Sequence, residues 1–261
     1  MAMQQTIPIL LDGTRHVSAD LDQLIDQGHI CALDKVSDDL SNTPYLHYID
    51  DALTLHWPAA SQPLSLSIDF VAGKSKHRRL YGGGKKQPLA KACGLEKHPT
   101  WHVFDATAGL GKDSFVLASL GASITLCEQH ASLFALLVDA RDRGLKDDVT
   151  TPILKRMSFI HAHSGNYLER VYSEQKPRPD VIYLDPMYPE RKKAAKIKKE
   201  MQVLQQLVGH QDDTASLFEV ALKTAVHRVV VKRPKSAQLL TTTLPSYTVA
   251  SVNTRYDVYV I

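Results

Sequence analysis

One segment, from Val103 to Glu128, constrains the fold of this chain more than any other. An apolar run ends in Asp105, a turn with Gly109 and Gly111 follows, and apolar residues then recur at the spacing of a helix. A second apolar run ends in Glu128. This order is typical of a strand, a glycine turn, a helix and a further strand, as in the nucleotide-binding βαβ unit. We therefore expect an α/β protein with a cofactor site at this turn.

The residues around the glycines discriminate between three nucleotide-binding motifs. A Walker phosphate loop needs a glycine and a serine or threonine where this chain has Ala106 and Asp113. A dinucleotide motif would bring pyrophosphate to a helix N-terminus beside Asp113, so two negative groups would crowd one positive dipole end. The remaining pattern, Asp105 four residues before Gly109, resembles motif I of the Rossmann-like S-adenosylmethionine methyltransferases. The alternative is an ordinary tight turn in an unrelated α/β protein.

Composition limits the class of protein. The 261 residues allow one large or two small domains, and 44% hydrophobic residues suffice for a core. We find neither a membrane span nor a secretion signal, and the three cysteines lack metal-binding spacing. We therefore expect a cytoplasmic protein without a metal. The net charge of +3 is too small to predict an anionic partner by itself.

We expect residues 1–80 to form a small N-terminal α/β segment with a basic connector, and residues 81–261 to form the Rossmann-like domain. Hydrophobic patterns in the first part predict a strand, a short helix, a hairpin and a half-buried strand, at residues 7–11, 20–27, 45–57 and 64–70.

The connector GKSKHRRLYGGGKK places basic side chains and one tyrosine around three consecutive glycines. Such a segment suits a phosphate backbone, with candidate RNA contacts at Lys76, Arg78, Arg79 and Lys85. A solvated linker between domains explains the same charges about as well.

Later apolar patterns predict a crossover helix at residues 133–144, with Gly144 as the residue that ends it, and strands at 157–162 and 180–184. His163 and Ser164 then follow a strand, where open α/β sheets place ligand-binding loops. Asp212, Asp213 or Thr214 can cap a helix that runs to about residue 226, before a strand at 229–231. An antiparallel pair at 247–252 and 256–261 completes the seven-stranded pattern of Rossmann-like methyltransferases.

The predicted strand at 180–184 is followed by Asp-Pro-Met-Tyr-Pro. Methyltransferases that act on exocyclic base amines carry a related motif, in which an acidic residue or asparagine, two prolines and an aromatic residue follow one another. By this resemblance, Asp185 and the Pro186 carbonyl accept hydrogen bonds from the amine, and Tyr188 stacks on the base. Met187 stands where the second proline usually lies. An ordinary Asp-Pro turn is the alternative.

Six cations follow within nine residues, among them Arg191, Lys192, Lys193 and Lys196. Beside a base pocket, they would neutralise phosphates and steer RNA toward the site. A charged helix face without a ligand is the alternative.

Several motifs together, among them DATAGLG, FIHAHS, YLDPMYP, VVVKRP and HRR followed by GGG, resemble the bacterial RsmJ (YhiQ) family over residues 66–261. Members of this family methylate the guanine 2-amino group of small-subunit (16S) ribosomal RNA. The resemblance implies a Rossmann-like class I methyltransferase, with a mostly parallel seven-stranded sheet and helices on both faces. It also implies S-adenosylmethionine contacts at Lys112, Asp113, Glu128, Gln129, His163, Ser164 and Asp185. Lys112, Gln129 and His163 replace the family's usual Arg, Arg and Ser.

Our hypothesis is therefore a monomeric rRNA (guanine-N2-)-methyltransferase that needs no metal and acts on ribosomal RNA or the 30S subunit. Glu128 would bind the cofactor ribose, while Gly109 and Gly111 let the methionine portion lie against the backbone. Three alternatives stay open on the residues alone: a different base amine as target, a nicotinamide-dependent (NAD) oxidoreductase, and a catalytically silent RNA-binding module.

Overall fold

The computed structural model describes residues 6–11, 17–33, 42–59, 63–73, 83–187, 199–208 and 213–261. In these parts of the chain, the strands form one sheet of five strands near the N-terminus and one of seven strands after it. No helix in the described parts is long and apolar enough to span a bilayer. Nor do the described residues bring three or more His, Cys, Asp or Glu side chains together as a possible metal site.

The N-terminal part contains the strands β1 (Pro8–Leu10), β2 (Cys31–Leu33), β3 (Tyr45–Ile49), β4 (Ala52–Trp57) and β5 (Leu64–Leu66), and the helix α1 (Ala19–Asp26). The strand order is β2-β1-β3-β4-β5. The predicted hairpin is confirmed, because β3 and β4 are antiparallel and the turn residues Asp50 and Asp51 have φ angles of 46° and 63°. β5 is shorter than the predicted strand at 64–70. The predicted alternation of buried residues nevertheless continues beyond β5, since Ile68 and Phe70 are buried in the core.

The larger sheet contains the strands β6 (His102–Asp105), β7 (Ser123–Glu128), β8 (Met157–His161), β9 (Val181–Leu184), β10 (Arg228–Pro234), β11 (Tyr247–Ala250) and β12 (Thr254–Val260). Their order is β11-β12-β10-β9-β6-β7-β8. Neighbouring strands are parallel from β10 to β8, whereas β12 is antiparallel to both β10 and β11. The predicted Rossmann-like fold with a mostly parallel seven-stranded sheet is confirmed.

Helices cover both faces of this sheet. They are α2 (Pro88–Ala92), α3 (Lys112–Ser119), α4 (Ala131–Gly144), α5 (Thr151–Leu154), α6 (Ser164–Ser173) and α8 (Thr214–Thr224). The helix α7 (Lys199–Val208), between α6 and α8 in the chain, lies against β5 of the N-terminal sheet. Successive strand residues point to opposite faces: Val103 and Val181 pack with α3 and α4, whereas Phe104 and Ile182 pack with α6 and α8. The central strands are apolar on both faces because both faces are covered.

Gly144 corrects one prediction. It is the last residue of α4, without the positive φ that a helix-ending glycine adopts. A Cβ atom there would lie 2.5 Å from Leu154 Cδ1, so the close approach of α5 requires the glycine. The sequence analysis did not identify α5 or α6. In α6, Leu168 and Val171 form the buried face.

The N-terminal sheet and the larger sheet share one hydrophobic core, and polar contacts from α4 join them. The Asp139 carboxylate accepts hydrogen bonds from the Leu53 N–H at 3.0 Å and from Arg143 Nε at 2.9 Å. The Arg143 guanidinium also donates to the Ile68 carbonyl. Arg141 forms an ion pair with Asp20 at 2.7 Å. The division of the chain at residue 80 stays a prediction.

Replacing Asp139 by alanine should lower the free energy of unfolding by about 2–4 kcal/mol, because it leaves the Leu53 N–H and Arg143 Nε without their acceptor and removes the carboxylate that is paired with Arg143. Urea denaturation measures the change. Asp142→Ala is the matched control on the same helix: Asp142 is more exposed and Arg141 keeps Asp20, so the change should stay below about 0.5 kcal/mol. Equal effects of the two substitutions would contradict this role of Asp139.

Candidate active site

A cavity of about 840 Å³ opens at the carboxyl ends of β6, β7, β9 and β10. Open parallel sheets bind their ligands at this edge, and the volume lies within the roughly 300–1,000 Å³ of small-molecule sites. Except for Gly111, the cavity is lined by all the predicted cofactor and catalytic residues that the structure describes: Asp105, Gly109, Lys112, Asp113, Glu128, Gln129, His163, Ser164, Asp185 and Pro186.

Asp105 ends β6 and is almost fully buried, at 2% exposure. Its carboxylate accepts hydrogen bonds from Ser114 Oγ at 2.6 Å and from the Thr107 N–H at 3.1 Å. Burial raises the pKa of Asp105 to about 7, although these two donors oppose the shift. The carboxylate therefore fixes the shape of the turn after β6.

Glu128 ends β7 and is also buried. Its two carboxylate oxygens accept hydrogen bonds from the backbone N–H groups of His130 at 2.8 Å and Gly109 at 3.0 Å. Burial raises the pKa of Glu128 to about 7 against the effect of these donors. The carboxylate lines the cavity, and its remaining lone pairs suit hydroxyl donors such as those of a ribose.

The loops after β6 and β9 are joined directly. β6 and β9 are parallel neighbours, so their carboxyl ends lie side by side. The Asp185 backbone N–H donates to Thr107 Oγ1 at 2.6 Å. This hydrogen bond brings the Asp-Pro-Met turn to the glycine turn, and both turns line the same cavity.

Lys232, near the end of β10, connects two acids in the cavity. Its Nζ lies 2.7 Å from Asp185 Oδ2 and 2.9 Å from Asp113 Oδ2. Asp113 also accepts a hydrogen bond from the Tyr183 hydroxyl at 2.6 Å. Burial by itself would lower the pKa of Lys232. The Asp185 and Asp113 carboxylates raise this pKa by more than burial lowers it, so the pKa lies above that of an ordinary lysine.

His163 and Ser164 hold the start of α6 in place. His163 caps this helix, with Nδ1 accepting from the Asn166 N–H at 3.4 Å and Nε2 lying 2.6 Å from Asp213 Oδ2. Because Nδ1 accepts a hydrogen bond, Nε2 carries the ring hydrogen and donates a hydrogen bond to Asp213. The Ser164 hydroxyl donates to the Ala106 carbonyl at 2.7 Å, which ties α6 to the turn after β6.

Positions 109 and 111 of the turn require glycine for different reasons. Gly109 has φ +52°, and a Cβ there would make only an ordinary contact with the Thr107 carbonyl oxygen at 3.8 Å, so its backbone angle alone favours glycine. Gly111 has φ +66°, and a Cβ there would lie 2.8 Å from Leu137 and 3.2 Å from Phe70. The side-chain position of Gly111 thus faces the hydrophobic core, and Gly111 does not line the cavity.

Several predicted contacts lie outside the described residues. They are the stacking residue Tyr188 and seven of the eight basic RNA contacts, Lys76, Arg78, Arg79, Arg191, Lys192, Lys193 and Lys196. Lys85, the eighth, is exposed in a single 3₁₀ turn.

The sequence analysis missed four residues of the site: Thr107, Tyr183, Asp213 as the partner of His163, and Lys232. One feature of the sequence could have identified Lys232 as a site residue. It follows an apolar strand, as Asp185 does, and parallel strands bring such residues to one edge. The predicted strand ended at residue 231, whereas β10 extends through Lys232 to Pro234.

The seven-stranded sheet and the acids at the ends of β6 and β7 fit a Rossmann-like, S-adenosylmethionine-dependent methyltransferase, the class that comparison with known proteins shows. A family model described as "Putative SAM-dependent methyltransferase" matches residues 29–261. A crystal structure of a SAM-dependent methyltransferase from Neisseria gonorrhoeae superposes with a TM-score of 0.74 at 34% identity, covering 97% of this chain and 95% of that one.

Two curated relatives are each named ribosomal RNA small subunit methyltransferase J. The relative from Hydrogenovibrio crunogenus is 49% identical over 82% of this chain and 75% of its own length. The one from Pseudoalteromonas translucida is 46% identical over 82% of this chain and 84% of its own length. The chain belongs to this family of SAM-dependent methyltransferases. S-Adenosylmethionine is its cofactor, which excludes the NAD-dependent alternative.

S-Adenosylhomocysteine should bind about tenfold more tightly at pH 8 than at pH 6. At pH 6, Asp105 and Glu128 carry protons in the free protein, and ribose hydroxyls favour the ionised form of Glu128, so binding must release a proton. Calorimetry in buffers of different ionisation enthalpy measures both the affinity and the release. Glu128→Gln should weaken binding at pH 8 and reduce the pH dependence. A pH-independent affinity of the unaltered protein would contradict this assignment.

Proposed function

We propose that this protein transfers the methyl group of S-adenosylmethionine to the exocyclic 2-amino group of a guanosine in small-subunit (16S) ribosomal RNA. The observation that carries the proposal is the hydrogen bond from the Asp185 N–H to Thr107 Oγ1, which places the base-side motif next to the cofactor turn in one cavity. The names of the relatives support ribosomal RNA as the substrate. The choice of guanine rests on the family resemblance of the sequence.

The cofactor side of the site has the polar groups that this donor needs. Glu128 would accept hydrogen bonds from the ribose hydroxyls, and Gly109 would leave the methionine portion close to the backbone. Gln129, His163 and Ser164 would surround the adenine. Lys112 and Asp113 line the cavity at the start of α3, and we assign them to the methionine end.

The base side supplies acceptors for an amine. S-Adenosylmethionine supplies an electrophilic methyl group on a sulfonium centre. The lone pair of a guanine 2-amino group is delocalised into the ring, so the amine is a poor nucleophile. Asp185 and the Pro186 carbonyl would accept its two N–H bonds, localise the lone pair and hold the nitrogen in line with the methyl group. Asp185 would accept the proton that the nitrogen loses when the carbon–nitrogen bond forms, before solvent removes it.

The aromatic ring of Tyr188 would stack on the extruded base. This role rests on the sequence, since Tyr188 follows the last described residue of the turn, Met187. Met187 lines the cavity and packs against the core, so the turn is anchored up to the residue before the tyrosine.

The partner in this proposal is 16S ribosomal RNA, free or within the 30S subunit, and the protein works as a monomer in the cytoplasm, where ribosomal RNA is processed. The basic residues of the connector and of the segment after Tyr188 would contact the phosphates. Two other outcomes remain for experiment: methylation of a different base amine, and RNA binding without methyl transfer.

Asp185→Ala should lower the rate of methyl transfer at least about 100-fold, because the amine loses its charged acceptor. The assay incubates 30S subunits that lack the modification with labelled S-adenosylmethionine and identifies the methylated nucleoside by chromatography. N2-Methylguanosine is the expected product. Asp148→Ala is the matched control, since Asp148 is exposed in the connection between α4 and α5.

Circular dichroism and S-adenosylhomocysteine binding would show that the Asp185→Ala variant is folded. Near-normal activity of this variant would overturn the role of Asp185. A methylated adenosine or cytidine would overturn the choice of guanine, and binding of 30S subunits without any methylation would identify a silent RNA-binding module.

Replacing Lys192 and Lys193 by alanine should weaken RNA binding about tenfold and reduce its salt dependence by about two released counterions. Filter binding across a salt series measures both quantities. The control replaces Lys97 and Lys155, which are exposed and precede β6 and β8, at the opposite edge of the larger sheet. If both double variants weaken binding equally, the charges of Lys192 and Lys193 have no specific role in RNA binding.

A further inference from the structure

The register of the larger sheet places a lysine beside the base-side acid. β9 and β10 are parallel, and Leu184 is paired with Val231. The next residues, Asp185 just after β9 and Lys232 within β10, therefore lie side by side, and Nζ of Lys232 lies 2.7 Å from Asp185 Oδ2. The lysine side chain is 24% exposed and that of Asp185 is 39% exposed, so the pair is partly shielded from water.

The same ammonium also binds an acid on the cofactor side. Asp113, in the first turn of α3, accepts from Lys232 Nζ at 2.9 Å, and its side chain is 10% exposed. One positive charge thus stands between two carboxylates that come from different elements and would otherwise repel each other.

Other titratable groups face this cluster. Buried Asp105 on β6 interacts electrostatically with both Asp113 and Asp185. The phenols of Tyr183 on β9 and Tyr256 on β12 interact electrostatically, and the Tyr183 hydroxyl donates a hydrogen bond to Asp113. Burial raises the pKa of Asp105 to about 7, so this acid is only partly ionised near neutral pH, and burial also raises the pKa of Tyr183, which keeps that phenol neutral. The ammonium of Lys232 compensates the negative charge of the ionised acids around Asp185.

We propose that Lys232 is a positioning residue for methyl transfer, because its ammonium keeps the Asp185 carboxylate ionised and oriented. Its second ion pair, with Asp113, fixes the turn after β9, where the base would bind, relative to the start of α3, where the cofactor would bind. The proposal rests on the proposed function. An ionised carboxylate accepts hydrogen bonds at both oxygens, whereas a protonated one presents an O–H donor to the amine. Loss of the ammonium would raise the pKa of Asp185, since neighbouring acids disfavour its charge.

The first test does not depend on activity. Carboxyl carbons are followed by nuclear magnetic resonance during a pH titration of the protein labelled at aspartate, and Asp185→Asn assigns the Asp185 signal. In Lys232→Met, which keeps the length of the chain without its charge, the midpoint of Asp185 should move up by at least about one pH unit. Lys232→Arg should restore it. An unchanged midpoint in Lys232→Met overturns the proposal, whether or not the protein methylates RNA.

The second test is kinetic. In Lys232→Met, the acid limb of the pH profile of kcat should move upward by the same number of pH units as the Asp185 midpoint, and kcat should recover above that midpoint, with little change in KM for the RNA. In the Asp185→Asn background, the same substitution should have little further effect. A uniform loss of kcat at every pH, or full additivity with Asp185→Asn, would show a purely structural ion pair and overturn the proposal.

If Lys232→Met does not fold, as thermal unfolding would show, Lys232→Gln replaces it in both tests. Its amide can donate a hydrogen bond without a charge, so an Asp185 midpoint that still moves up supports the role of the charge. A midpoint at the value of the unaltered protein would overturn it. If the unaltered protein methylates no RNA, the proposed function fails. The titration still decides whether Lys232 controls the ionisation of Asp185.

Discussion

The hydrogen bond between the Asp185 N–H and Thr107 Oγ1 is the contact on which the site depends, since it joins two loops that come from distant parts of the chain. It is possible because β6 and β9 are parallel neighbours in the centre of the sheet. Strands buried on both faces leave polar groups no place except their ends, so the acids gather at one edge. The cavity and the position of the two turns that line it, after β6 and after β9, follow from this pairing.

The acids at that edge are buried, which destabilises their ionised forms, and a bound cofactor can offset this loss of hydration. Asp105 and Glu128 are buried, and burial raises the pKa of each to about 7. Their hydrogen bonds to Ser114, Gly109 and the neighbouring backbone oppose the shift without cancelling it. A cationic ligand with hydroxyl donors favours the ionised forms, so bound S-adenosylmethionine would lower the pKa of both acids.

The sequence predicts the parts of this site whose signals are local. The turn from Asp105 to Gly111 and the Asp-Pro turn at Asp185 are short motifs, and the structure places both at one cavity. The contacts of Lys232 depend on which strands become neighbours and could not be derived from either motif. Asp213 shows the same limit: it caps α8 as predicted, but its carboxylate pairs with His163, fifty positions away, rather than with its own helix.

The N-terminal part of the chain has no catalytic motif in its sequence, yet one of its core residues packs against the turn from Asp105 to Gly111. The Phe70 ring stacks on Phe115 of α3 at a centroid distance of 4.9 Å and occupies the space beside Gly111. A side chain at position 111 would push against Phe70 and Leu137, which belong to one continuous core. The glycine pattern that first indicates a ligand site is thus partly a requirement of packing, and the first seventy residues take part in shaping the turn because their core residue lies directly beneath it.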